Sequence, residues 1–136
     1  MKFLYIFLLM WGSIGLAQDD QLLNLPSRAS NALSGTAFMK KIAKMDGGQR
    51  EKAMVSEILK GNIPSFLRKL TAIDTKLTSG PYRGKTLRYW ALPDYIAIGS
   101  DQDFIRVPLN LHSIDKLSEQ LDLSLPTAKM VDDIYV

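Results

Sequence analysis

An unbroken apolar run, Phe3–Trp11 (FLYIFLLMW), follows the single positive charge of Lys2 and decides which residues are left to fold. Gly12 and Ser13 interrupt it, and Gly15-Leu16-Ala17 puts small residues where a signal peptidase accepts them. The stretch Phe3–Ala17 falls short of the roughly 20 residues that span a bilayer, and no basic stop-transfer cluster follows it. The pattern predicts cleavage after Ala17, a mature chain beginning at Gln18, and export to the periplasm or the extracellular space. The membrane is then met only during export. Removing 17 of the 136 residues leaves 119, enough for one domain with a core of its own.

That domain has no cysteine, so burial alone must hold it, although small exported domains are often stapled by disulfides. A thiol nucleophile, a zinc–thiolate site and an iron–sulfur cluster are excluded with it. The formal charge of +3 drops to +2 when Lys2 is removed, and the remaining basic residues are spread along the chain. The pI of about 9.2 therefore does not describe the concentrated basic face that nucleic acid requires. No nucleic-acid partner and no cofactor are expected.

Hydrophobic spacing gives the element order. Gln18–Leu33 is polar, carries Pro26, and reads as a mobile leader. Ser34 is placed to cap a helix over Thr36–Met45, with Phe38, Ile42 and Met45 on one face. Gly47-Gly48 breaks it. A second helix, Arg50–Lys60, aligns Met54, Val55, Ile58 and Leu59 and ends at Gly61-Asn62. A strand around Leu70–Asp74 and an exposed loop over Thr78–Gly84 follow. Three further strand-like runs, Thr86–Leu92, Tyr95–Gly99 and Phe104–Val107, are joined by short connections, which predicts an antiparallel meander. Asn110 then caps Leu111–Leu121, and Thr127 caps Ala128–Val136 with Met130, Val131 and Ile134 inward. The class is α+β, a single domain over residues 34–136.

Few residues invite chemistry. His112 is the single histidine, so a histidine-based metal site is excluded. It is a candidate general base towards Ser65 or Ser113, oriented by Asp94, Asp101 or Asp103. Adjacent side chains on a helix diverge, so His112 and Ser113 do not themselves form a dyad, and no nucleophile-elbow motif is present. Asp101 and Asp103 lie in a tight turn, where aspartate and serine are simply good turn formers. No metal is expected. Aromatics gather between Tyr82 and Phe104, and most are expected in the core. On a strand, Tyr89 shares a face with Leu87 and Ala91, while Trp90 shares the other with Arg88. One of Tyr89 or Trp90, with Arg88 and Arg106 nearby, is the candidate platform for a sugar ring or a peptide.

The segments GNIPSFLRKL, YWALPDYIAIGSDQDFIRVPLN and LPTAKMVDDIY resemble a family of uncharacterised exported bacterial proteins. The resemblance covers most of the chain after Gly61 and carries no activity or catalytic residue with it. Longer members continue past the last segment, so the resemblance implies that this chain corresponds to their N-terminal part. Three functions follow as expectations. The first is a binding module for envelope or extracellular glycan or peptide. The second is the front of a hydrolase whose catalytic groups lie beyond Val136. The third is a structural protein that pairs through the Met130/Ile134 stripe.

Overall fold

A computed structural model describes residues 21–135. The predicted signal segment and its cleavage site lie outside the described residues. The fold is mixed α+β, with helices at both ends of the described region and two small antiparallel sheets between them.

The chain opens with a helical pair. Helix α1 (Gly35–Ile42) starts where the Ser34 hydroxyl accepts from Ala37 N–H. Helix α2 (Gly47–Leu59) starts earlier than its hydrophobic spacing predicts, and Gly47-Gly48 lies inside it rather than before it. The reason is a capping box: the Asp46 carboxylate accepts from Gln49 N–H at 2.8 Å, and the Gln49 side chain accepts from Asp46 N–H at 3.3 Å. Two first-turn donors are thereby satisfied, and the intrinsic cost of the glycines is offset. A 3₁₀ turn, Ser65–Arg68, leads into β1 (Thr71–Lys76), which pairs with β2 (Thr86–Ala91) across the predicted loop.

The remaining strands form a second sheet. Among the described residues β3 (Ala97–Gly99) pairs only with β4 (Phe104–Arg106), and β2 does not pair with β3. The predicted antiparallel succession is present, but it is divided between two hairpins at Leu92–Ile96 instead of running on as one meander. Helix α3 (Leu111–Leu121) matches its predicted bounds, capped by Asn110, whose side chain accepts from Ser113 N–H at 2.9 Å. It ends at Asp122 in the left-handed conformation, at φ 52°, a task more often given to glycine. Helix α4 (Ala128–Ile134) is capped by Thr127 as predicted, but of the expected inward stripe only Met130 and Ile134 are half-buried, and Val131 is exposed.

The core is aliphatic. Phe38 and Ile42 from α1, Met54, Val55 and Ile58 from α2, Ile63, Leu67, all of β3, and Leu117 and Leu121 from α3 close on one another. Phe38 is the only aromatic residue among them, so the expectation that most aromatics are core is corrected. Tyr82, Tyr95 and Tyr135 are exposed, and Trp90 is 37 % exposed.

The predicted mobile leader is also corrected over its described part. Leu23 is buried, and its N–H donates to Arg68 C=O while Leu70 N–H donates to Gln21 C=O. Arg28 then ties the segment down. Its Nε donates to Asn62 Oδ1 at 2.9 Å and to Gly99 C=O at 3.1 Å, and its Nη2 donates to the carbonyls of Ala32 and Leu33. One guanidinium thus joins the leader, the end of α2 and the end of β3.

Candidate functional site: an exposed aromatic and ion-pair strip

The β3–β4 hairpin sets the site. Asp94 lies three residues before β3, and Arg106 ends β4 opposite Ala97. The register brings the two side chains together. Arg106 donates from Nε to Asp94 Oδ1 at 3.0 Å and from Nη2 to Asp94 Oδ2 at 2.5 Å, a bidentate pair. Tyr95 N–H also donates to Asp94 Oδ1 at 2.6 Å. The Arg106 guanidinium, followed by the Tyr95 N–H, holds the Asp94 carboxyl below the usual carboxylate range.

Aromatic rings extend this pair on both sides. The guanidinium carbon of Arg106 stands 5.5 Å from the Phe104 ring centroid, inside cation–π range. Phe104 meets Phe66 of the 3₁₀ turn edge to face, with centroids 5.3 Å apart. On the other side, the Tyr135 hydroxyl donates to the Tyr95 hydroxyl at 3.2 Å, and that bond raises the Tyr135 pKa. Phe66, Phe104, Arg106, Asp94, Tyr95 and Tyr135 therefore form one chain of contacts drawn from four separate parts of the sequence. Tyr95 is 68 % and Tyr135 70 % exposed, so large ring area remains open to solvent. An exposed ion pair stabilises a fold by at most about 1 kcal/mol. What Asp94–Arg106 provides instead is a bidentate carboxylate–guanidinium pair with the Phe104 ring against Arg106 and Tyr95 next to Asp94 in the chain.

The other predicted binding residues divide between the faces of the β1–β2 ribbon. Tyr89 faces α4, half-buried, and its hydroxyl donates to Met130 C=O at 3.3 Å. Arg88 and Trp90 lie on the opposite, open face, where Arg88 makes a bidentate pair with Asp74, its cross-strand partner. Of the four, Arg106 alone belongs to the strip.

The catalytic candidates are not brought together. The His112 side chain is exposed and makes no hydrogen bond or ion pair among the described residues. Ser113 is buried and donates its hydroxyl to Glu51 Oε2 at 2.5 Å. The Ser65 hydroxyl donates to Asp101 Oδ2 at 2.6 Å, and Ser65 N–H to Asp101 Oδ1 at 2.6 Å. The Ser65 hydroxyl, then its N–H, lowers the Asp101 pKa, which makes that carboxylate a poor proton acceptor. Asp103 is likewise held low, by the Ser34 hydroxyl first and then by Thr36 N–H, which donates to its Oδ1 at 2.9 Å. The two aspartates of this turn clamp it to two helix starts. No cluster of three or more metal-ligating side chains occurs among the described residues.

Phe66 and Tyr135 were not legible as site residues. Each reaches the strip across a long sequence separation, and no local pattern marks them. The Asp94–Arg106 pair did leave a trace, since opposite charges flanking a tight hairpin tend to meet. No protein-family description, curated protein or solved structure matches the chain.

Proposed function

We propose that this chain is an exported binding module that recognises a glycan of the cell envelope or the extracellular space. The observation that carries the reading is the continuous strip from Phe66 through the Asp94–Arg106 pair to Tyr135. A sugar ring offers an apolar face edged by hydroxyls. Exposed aromatic rings match the first, and a planar carboxylate–guanidinium pair matches the second, supplying acceptors and donors together. The strip is assembled before any ligand arrives, which keeps the ordering cost of binding low. The signal-like segment before Gln18 agrees with a ligand outside the cytoplasm.

Retention on purified peptidoglycan and on a glycan array tests the reading, with Tyr95→Ala and Arg106→Met against the parent and Trp90→Ala as comparator. Loss of one stacking ring should weaken binding about tenfold, corresponding to roughly 1.4 kcal/mol. Trp90→Ala should leave it within about twofold. Absence of retention, or equal retention by all four proteins, would overturn the proposal. Retention only on a proline-rich or acidic peptide array would replace glycan with peptide as the ligand. For export, mass spectrometry of secreted protein should find Gln18 at the N-terminus; a chain keeping residues 1–17 would refute the signal assignment.

A further inference from the structure

Basic residues occur all along this chain, but its acids avoid one element. The ribbon Thr71–Ala91 (β1, its loop and β2) carries Lys76, Arg83, Lys85 and Arg88 against a single acid, Asp74. Of the mature +2, the ribbon therefore supplies +3 and the rest of the chain −1. Helix α4, packed on the Tyr89 face, adds Lys129, Asp132 and Asp133, and Lys129 pairs with Asp133 at 2.9 Å. Ribbon and helix together still hold +2, the whole of the mature excess. Asp74 is engaged by Arg88. The side chains of Lys76, Arg83 and Lys85 are exposed and make no hydrogen bond or ion pair among the described residues.

These three cations gather at the loop end of the ribbon. No residue of Thr71–Ala91 is buried, and residues 78–88 are exposed without interruption. The loop end is nonetheless ordered. Leu77 N–H donates to Lys85 C=O at 2.9 Å, Gly84 N–H to Leu77 C=O at 2.7 Å, and Lys85 N–H to Tyr82 C=O at 3.0 Å. Gly80 and Gly84, at φ +76° and +82°, make the turns, and a Cβ on either would meet no atom within 4 Å. Between them stands Tyr82, 62 % exposed, and Leu87 beside the loop is 42 % exposed. The ribbon thus ends in a preformed tip, an open aromatic ring among unpaired cations.

We infer that this tip docks on a bilayer surface carrying anionic lipid headgroups, a contact beyond the passage of the signal segment. Cations are drawn to the negative surface potential, and each one near the surface strengthens binding about fivefold. Cations alone would suit any polyanion. Tyr82 decides for a bilayer, because an amphipathic ring settles at the headgroup level, whereas a soluble polymer offers it no apolar layer. The tip is ordered and uncovered, so docking requires no rearrangement of the fold. It shares no residue with the aromatic strip, and the inference stands whether or not the strip binds glycan.

The test is sedimentation of the full mature chain with vesicles at about 0.05 M salt, where screening is weak. Vesicles of equal parts phosphatidylglycerol and phosphatidylcholine should bind it at least about tenfold more tightly than phosphatidylcholine alone, and about 0.5 M salt should abolish the difference. Lys76→Gln, Arg83→Gln and Lys85→Gln should each weaken binding about fivefold, and Tyr82→Ser by a similar factor with the salt dependence kept. Lys44→Gln, the same charge loss at an exposed site outside the ribbon, should stay within about twofold of the parent. Equal losses in Lys44→Gln and the ribbon variants would reduce the effect to net charge. Parent-like binding by Tyr82→Ser, or retention on heparin-agarose without vesicle binding, would make the target a polyanion instead. Any of these results, or no sedimentation with the phosphatidylglycerol vesicles, overturns the inference.

Discussion

Replacing Gly99 by alanine should be among the most damaging single-methyl additions to this protein. Gly99 ends β3 at φ +129°, a region that side-chain-bearing residues rarely enter. A Cβ there would stand 2.2 Å from Asp103 C=O, 2.7 Å from Gly35 N and 2.8 Å from Phe104 Cα. All three are backbone atoms and cannot swing aside. Asp103 C=O also accepts from Gly35 N–H at 2.8 Å and from Ser100 N–H at 3.0 Å, so moving it disturbs the seat of α1 on the β3–β4 turn. Backbone strain of this kind costs about 1–3 kcal/mol. Forcing a methyl into filled space costs about 1–3 kcal/mol more. The expected loss is thus about 2–6 kcal/mol. At about 4 °C per kcal/mol for a domain of this size, the melting temperature should fall by roughly 8–24 °C. Thermal unfolding followed by circular dichroism measures it, with Gly47→Ala as control. The control adds a Cβ with no neighbour within 4 Å, in the first turn of α2, and should leave stability unchanged or raise it by about 0.4–1 kcal/mol. A Gly99→Ala melt within about 4 °C of the parent would refute the geometry of this turn.

Three other outcomes are expected. Arg28→Met removes donors from the buried Asn62 amide and from three carbonyls, and should cost about 2–4 kcal/mol in a denaturant melt while exposing the segment before Leu33 to limited proteolysis; an unchanged cleavage pattern would contradict the clamp. The Asp101 and Asp103 carboxyls titrate below their ordinary range in the folded chain, so their stabilisation is present above about pH 4 and is lost as pH falls through the lowered folded values. The parent melting temperature should therefore drop on acidification from about pH 5 to about pH 3, and an Asp101→Asn/Asp103→Asn double variant should drop less; equal slopes would remove these groups from the acid response. Ile134→Ala should cost under about 2 kcal/mol, because Ile134 is only half-buried and α4 has no buried residue; a loss of core size, about 3 kcal/mol or more, would place α4 in the folding core.

Local chemistry explains what the sequence determined alone. Ser34, Asn110 and Thr127 cap the helices they were predicted to cap, since a cap needs only its own residue and the backbone two or three positions on. The α+β class follows from the change of period after Gly61, and the turn-rich loop after Leu77 from its glycines and proline. Hydrophobic spacing does not reveal the start of α2, which rests on the reciprocal bonds between Asp46 and Gln49. Tertiary structure decided the rest. Whether β2 continued into β3 or turned back depended on which sheet the core could cover, and α1 and α2 cover β3 alone of the two. The leader was fixed by Arg28 reaching acceptors on distant segments, a possibility its polar composition does not encode. The aromatic strip has the same origin. Phe66, Tyr95, Phe104 and Tyr135 are ordinary aromatic positions along the chain, and they become one surface because the β3–β4 hairpin and the ends of the 3₁₀ turn and α4 meet there.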